Sequence, residues 1–325
     1  MYKSKRLVKN LVRLILPILL LVVLAVAGAS VWLVQQTSLV KPAPYLMKPD
    51  KYGQLSSKAA QITDETWPNS DGTSSRGWLL RGNPGSPGII LFHKYGADRS
   101  YVLNLGVKLS ESSNFTILMP DLRGHGESPL IKRTSFGAGE ASDASAAIQF
   151  LHSLKSPEQT GLVSDIGVYG VELGAIAAIT AAAKDPAVKA IVLDDVPQDS
   201  DAVLASAIGR RFPFASSITS KFASLGTSLY FYDGSYKVGS PCEQARTLVK
   251  RKVLLLAGVD APEFQDSTQK LSKCFPAGTQ IDGKFDLSPS AYTIVNASIE
   301  QAEGYDQRVI GFFMESLAAP VPPVQ

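Results

Sequence analysis

Polar and ionisable residues gather directly behind four apolar runs of this chain. His93-Lys94-Tyr95 follow Ile89–Phe92, and Glu172, set between Gly170 and Gly174, follows Ile166–Tyr169. Asp194 and Asp195 follow Ala190–Leu193, and Asp260 follows Val253–Leu256. A carboxylate can attack carbon or take up a proton, but a nucleophile needs a partner that clears its own proton or activates a water. Glu172, Asp195 and Asp260 together have the ligand type that suits Ca²⁺ or Mg²⁺, although nothing in their spacing requires an ion. The chain has 3 histidines, His93, His125 and His152, and only 2 cysteines, so a zinc site of the usual kind is not expected. Gly167-x-x-Gly170-x-x-x-Gly174 is not the Gly-x-Gly-x-x-Gly fingerprint of dinucleotide binding. No cofactor and no metal are expected.

The elements that must carry these residues alternate. Short apolar runs at Ile89–Phe92, Phe115–Met119, Ile166–Tyr169, Ala190–Leu193 and Val253–Leu256 read as strands buried on both faces. Helical spacing fills Tyr101–Leu109, Ser142–Leu154, Ala175–Lys184 and Glu243–Val249 between them. Such alternation predicts an α/β domain with a mostly parallel central sheet and helices on both faces, its ligands at the carboxyl ends of the strands. Residues 198–240 break the rhythm with Ala/Ser-rich helical stretches and Tyr230-Phe231-Tyr232, and read as a short helical cap. Asn69-Ser70-Asp71-Gly72 is a turn signal ahead of a strand at Gly77–Arg81.

Ahead of this domain, Leu14–Val34 holds no charged residue. As a helix its 21 residues span about 31 Å, enough for a hydrocarbon core of about 30 Å. Lys3, Lys5, Arg6, Lys9 and Arg13 precede it and place the N-terminus in the cytoplasm by the positive-inside rule, with the rest of the chain outside. A cleaved signal peptide is the alternative, since Ala25-Val26-Ala27 and Ala27-Gly28-Ala29 both fit a small-x-small cleavage pattern. The five leading cations account for the net charge of +3: 32 basic residues less these five leaves 27 against 29 acidic. The globular part is therefore slightly acidic, and nucleic acid is not an expected partner. Both Cys242 and Cys274 fall in the exported part, where a disulfide between them is expected to persist. The organisation reads as a basic N-terminus (1–13), an anchor (14–34), a linker (35–64), a domain (65–317) with its cap at about 198–240, and a Pro-rich tail (318–325).

Over residues 65–315 the motifs resemble the α/β-hydrolase fold superfamily, in particular bacterial membrane-anchored hydrolases with a short cap. Ser70–Leu80 resembles the opening hairpin, and Ile90–Ser100 the strand and oxyanion loop. Met119–Ser128 (MPDLRGHGES) is similar to the turn after the next strand, Gly167–Ala175 to the nucleophile elbow, and Val253–Pro262 to the strand and loop of the catalytic acid. The resemblance implies a Gly-x-Ser-x-Gly elbow that holds its middle residue in a strained, presented position. Here the glycines remain and the middle residue is Glu172.

The resemblance also implies a histidine after the last strand, but Thr279–Tyr292 has none. Asp260 is a possible remnant of the triad acid, and Asp194 and Asp195 read more readily as surface or capping groups. Lys94 stands where the family has glycine. Either it pairs with Glu172 across the old site, or it points to solvent while Glu172 bonds amides at the helix N-terminus. Lys94, Tyr95, Glu172 and Leu173 are expected to line the former pocket.

With no intact triad, the expected function is that of a pseudoenzyme: a membrane-bound binding or assembly subunit with a membrane-protein partner. An active hydrolase of unusual mechanism on ester, amide or lipid-like substrates is the first alternative, and a small-molecule binder using the old pocket the second. Haloalkane dehalogenases and epoxide hydrolases use an elbow aspartate, but they also need a histidine to clear the ester.

Overall fold

The computed structural model describes residues 2–50, 61–158, 160–213 and 216–317. They form two compact units, Met1–Ser38 with Leu204–Ser235, and Leu39–Val203 with Tyr236–Gln325.

Among the described residues the larger unit is built on one eight-stranded sheet. Its strands are β1 (Ile62–Pro68), β2 (Ser74–Leu80), β3 (Ser86–Phe92), β4 (Thr116–Pro120), β5 (Val163–Val171), β6 (Val188–Asp194), β7 (Lys252–Gly258) and β8 (Gln280–Leu287). They lie in the order β1-β2-β4-β3-β5-β6-β7-β8. β1 with β2 and β2 with β4 are antiparallel, and every other pair is parallel. The central strands are the uniformly apolar ones, and Ile89–Phe92, Ile117–Met119, Ile191–Leu193 and Val253–Leu256 are all buried. At the edges, β1 and β8 carry exposed Asp64 and Asp282, which discourage pairing with another chain.

Helices flank the sheet: α2 (Leu103–Ser113), α3 (Ala138–Ser153), α4 (Leu173–Lys184), α7 (Pro241–Ala245), α8 (Pro262–Leu271) and α9 (Ile299–Leu317). A 3₁₀ turn, Arg99–Val102, leads into α2. α4 is apolar all round and buried from Leu173 to Ala182, as a helix at the centre of a domain must be. Cys242 of α7 is disulfide-bonded to Cys274, just past α8, with Cα atoms 5.3 Å apart, as the sequence leads one to expect.

Two further helices, α5 (Ser200–Arg211) and α6 (Ser216–Tyr230), form the helical insertion between β6 and β7. The smaller unit consists of α1 (Tyr2–Ser38), most of α5, and α6. Within α1 the stretch Arg13–Ser38 has a mean hydropathy of 2.8 and is long and apolar enough to cross a membrane. α1 packs on α6 at main-chain contact, since a Cβ at Gly226 would collide with the Ser30 carbonyl.

Three expectations are corrected. Residues 35–38 continue α1 rather than starting a linker, because the Thr37 and Ser38 hydroxyls bond the Leu33 and Gln35 carbonyls and sustain the last turn. β1 begins at Ile62, inside the stretch read as linker, because β2 offers it a full antiparallel register. The helix expected over 243–249 is shorter and earlier: Ser240 and Glu243 form a reciprocal cap with Pro241 in the first turn, and the helix ends at Ala245. The tail at 318–325 lies outside the described residues.

Candidate functional site

β4 and β5 lie on opposite sides of β3. The chain therefore leaves the carboxyl ends of β3 and β5 in different directions, which makes the loops that follow them the place where open α/β sheets bind ligands. Glu172 stands at the end of β5 with φ 50° and ψ −109°, between the strand and α4. That conformation is a strained one for a residue with a side chain, at a cost of about 1–3 kcal/mol. The neighbouring glycines make the turn possible. A Cβ on Gly174 would lie 2.5 Å from the Phe92 carbonyl oxygen and 2.6 Å from that of His93, and one on Gly170 would run into the Gly174 carbonyl. The elbow geometry is thus kept around a fully buried glutamate.

The Glu172 carboxylate faces the loop after β3. The Tyr95 N–H donates to its Oε2 at 2.6 Å, so the amide it takes belongs to that loop and not to the N-terminus of α4. Lys94 is half-buried rather than pointing to solvent, and its ammonium donates to the Tyr292 carbonyl and lies 4.4 Å from the Tyr292 ring centre and 5.2 Å from that of Tyr101. Lys94 and Tyr95 therefore bridge from the elbow to the loop after β8. Leu173 is buried beside Glu172 at the start of α4.

Two histidines hold this loop from below. His93 Nδ1 donates to the Lys94 carbonyl at 2.8 Å and its Nε2 accepts the Leu122 N–H at 3.0 Å. Burial, with nearby His125 adding to it, lowers the His93 pKa to about 3, so this ring is neutral. His125 Nδ1 donates to the Arg123 carbonyl at 2.8 Å and its Nε2 accepts the Gly96 N–H at 3.0 Å. Both ring nitrogens of each residue are taken by main chain. His152 lies on α3, 3.7 Å from Asp185.

Asp194, Asp195 and Asp260 do converge, and with them Ser290, which sequence reasoning missed. Asp194 and Asp195 are fully buried, not surface groups. Asp194 Oδ2 accepts the Tyr305 hydroxyl at 2.6 Å and the Ala291 N–H at 3.0 Å. The Tyr305 hydroxyl is in turn 3.0 Å from that of Tyr169. Asp260 Oδ1 accepts the Ser290 N–H at 3.0 Å, while its Oδ2 meets the hydroxyls of Ser290 at 3.1 Å and Thr293 at 2.5 Å. Asp195 Oδ1 accepts the Gly258 N–H at 3.1 Å, and its Oδ2 is hydrogen-bonded to the same Ser290 hydroxyl.

Ser290 has one hydroxyl proton and two carboxylate neighbours. One of the two acids must therefore supply a proton. Burial, then the charge of Asp194, pushes Asp195 up to about 9, and burial raises Asp194 to about 6. Asp195 is the proton holder at neutral pH, within hydrogen-bond reach of Asp194 and of the Ser290 hydroxyl, which also meets Asp260. Ser290 and Thr293 thus occupy the partner positions on Asp260 in the loop after β8. The sequence signal was the acidic pair Asp194-Asp195 directly behind an apolar strand, opposite a hydroxyl-rich loop. The three acids gather around a proton and hydroxyls, and among the described residues no group of acids, His or Cys is arranged to hold a metal ion.

A cavity of about 340 Å³ opens beside this network, bordered by Tyr101, Tyr169 and Tyr305, and its lining includes none of Lys94, Tyr95, Glu172 and Leu173.

No family model matches the sequence, and no curated protein matches it. Solved structures do. An esterase from Pyrococcus furiosus is 18% identical, with 86% of this chain and 99% of that one covered, at a TM-score of 0.61. An α/β hydrolase from Penicillium is 15% identical, over 80% of this chain and 100% of that one, at 0.56. A dienelactone hydrolase from Anabaena variabilis is also 15% identical, over 79% and 99%, at 0.53. The chain has the α/β-hydrolase fold.

Proposed function

We propose that this chain is a membrane-tethered α/β-hydrolase-like domain that has given up hydrolysis and works as a binding or assembly subunit outside the cytoplasm. One observation carries the reading: the elbow holds a carboxylate, and that carboxylate occupies the Tyr95 N–H at 2.6 Å. In an acyl-transfer site such an amide is kept open for the developing oxyanion. Here a negative charge from the protein itself sits on it. The absence of any histidine after residue 152 supports the same reading, because neither a serine nor a water would find its base in the family's place.

The tether is α1, with its basic end cytoplasmic. The Cys242–Cys274 disulfide supports an oxidising compartment for the domain. The partner is another membrane protein, reached through α1, the helical insertion or the Pro-rich tail.

An activity-based fluorophosphonate is the test. The detergent-solubilised chain should stay unlabelled, and Glu172→Ser should gain no turnover, since it restores a hydroxyl without a base. Stoichiometric labelling of a serine in the unaltered chain would end the proposal. Migration in a defined larger complex after mild-detergent extraction is the expected companion result. The 340 Å³ cavity favours a second reading, small-molecule binding, whose sign is a melting temperature that rises with one ligand class.

A further inference from the structure

The smaller unit has an outward apolar face that the tether alone does not account for. On α6, Ala223, Gly226 and Thr227 are buried and Tyr230 half-buried, all on one side. Phe222, Leu225 and Leu229 are 38%, 55% and 55% exposed, at spacings of three and four residues that align them in a stripe. Lys221, Ser224 and Ser228 are exposed beyond it. α6 is therefore amphipathic on its open side, with an apolar stripe next to its packed face and polar residues beyond.

Its direction follows from three contacts. Gly226 abuts Ser30, and the Tyr230 hydroxyl is 3.1 Å from Ser38 Oγ, so numbers rise together along α6 and α1. Coming down α5, Arg211 Nη1 and Nη2 reach the Gln36 carbonyl and side chain at 2.8 and 3.1 Å, and the next residue, Phe212, sets its ring 6.3 Å from that of Trp32. α5 thus runs toward the N-terminal, apolar part of α1, and α6 runs back from it. Leu14–Leu24, in that part, are exposed at 49% or more wherever they are large and apolar.

Trp32, 51% exposed, with Arg211 one turn on at Gln36, has the composition of a membrane–water boundary. The apolar stripe of α6 runs alongside α1 at and below that level. Lys221 has a stem long enough to carry its ammonium back to the headgroups.

Resting on the reading of α1 as a membrane anchor, we infer that the α5–α6 hairpin is a second membrane element. The stripe Phe222, Leu225 and Leu229 lies in the lipid of the leaflet on the domain side. The occupant is lipid rather than a second copy of the chain, because the stripe continues the exposed apolar surface of α1 and ends in the aromatic and basic residues expected of an interface.

The test uses the full chain in phosphatidylcholine–phosphatidylglycerol vesicles. Single cysteines are introduced by Leu225→Cys, Leu20→Cys and, at an exposed position of the larger unit, Glu300→Cys, and labelled with an environment-sensitive nitrobenzoxadiazole dye. The native cysteines are held in the disulfide and stay unlabelled. Labels at 225 and 20 should both be blue-shifted and lose fluorescence to doxyl-lipid, while the label at 300 remains water-like. If 20 is quenched and 225 behaves like 300, the hairpin inference is overturned and the anchor stands. If 20 also escapes quenching, the anchor reading fails and the inference with it. A label at 225 that is blue-shifted but untouched by doxyl-lipid, with 225–225 crosslinks between chains, would assign the stripe to a second copy and overturn the lipid.

Discussion

Asp195→Asn should stabilise the protein, and increasingly so as pH rises. The folded state keeps a proton on Asp195, which burial and the charge of Asp194 push up to about 9, whereas the unfolded aspartate ionises near 3.9. A raised folded pKa contributes stability that is fully present below the unfolded value and is lost as pH rises through the folded one. Between about pH 5 and pH 8 the folded chain holds one proton more than the unfolded chain, so stability falls by about 1.4 kcal/mol per pH unit on this account.

Asparagine imitates the protonated acid. Its amide can donate to Ser290, its carbonyl can accept the Gly258 N–H, and it tolerates the φ of 50° at this position. It carries no such pH penalty. Asp194 sees a neutral neighbour in both proteins, so its own titration cancels in the difference. The stability gap should therefore widen by about 2.7 kcal/mol from pH 5 to pH 7, or about 5–10 °C in melting temperature for a domain of this size. Parallel thermal unfolding of the two proteins at pH 5, 6 and 7 measures it. A gap that does not change with pH would refute the placement of the proton on Asp195, and one that narrows would mean that Asp195 is ionised in the fold.

Reducing the Cys242–Cys274 disulfide, or replacing both cysteines by serine, should cost about 3–4 kcal/mol, since the bond closes a loop 32 positions long; calorimetry with and without reductant checks this. Arg99, 2% exposed, bonds Asp64 through both terminal nitrogens at 3.0 Å and pairs with buried Asp121 at 3.4 Å. Arg99→Ala should cost about 3–5 kcal/mol at pH 7, because it takes a buried guanidinium from the buried Asp121 carboxylate and leaves it to Arg76, 3.6 Å away, and the Tyr45 hydroxyl. Burial already raises Asp121 to about 6, so the loss should shrink toward pH 5 as Asp121 takes up a proton, and denaturant unfolding at both values tests it.

The fold was legible because its determinants are local. Five apolar runs separated by helical spacing dictate a largely parallel sheet, and Gly170 and Gly174 mark a turn that tolerates no side chain at either position. β1 escaped detection because an edge strand rich in Asp, Glu and Thr carries little apolar signal; its identity comes from the β2 register. The position of Glu172 could be read, but its partner could not. Whether its carboxylate meets Lys94 or an amide depends on how the loop after β3 folds, and two histidines bonded to main chain decide that. Asp194 and Asp195 misled for a related reason. An acidic pair normally belongs in water, and only the loop after β8, close to 100 residues away in sequence, supplies the hydroxyl and amides that let it be buried.

These partners bear on what the cleft can accept. The Tyr95 N–H is taken by Glu172, Asp260 is taken by Ser290 and Thr293, and the Lys94 ammonium donates to the Tyr292 carbonyl. A carbonyl substrate seeking the Tyr95 amide would have to displace a charge-assisted hydrogen bond worth about 1.5–3 kcal/mol. It would also leave the buried Glu172 carboxylate without that donor, a further desolvation cost. Nothing the substrate brings in its ground state offsets this, because a neutral carbonyl oxygen is a weaker acceptor than the carboxylate it replaces. Removing the carboxylate, as in Glu172→Ser, frees the amide but leaves Asp260 facing hydroxyls where an imidazole would be needed. On the reading proposed above, hydrolysis would therefore require changes on at least two loops, at the end of β5 and after β8.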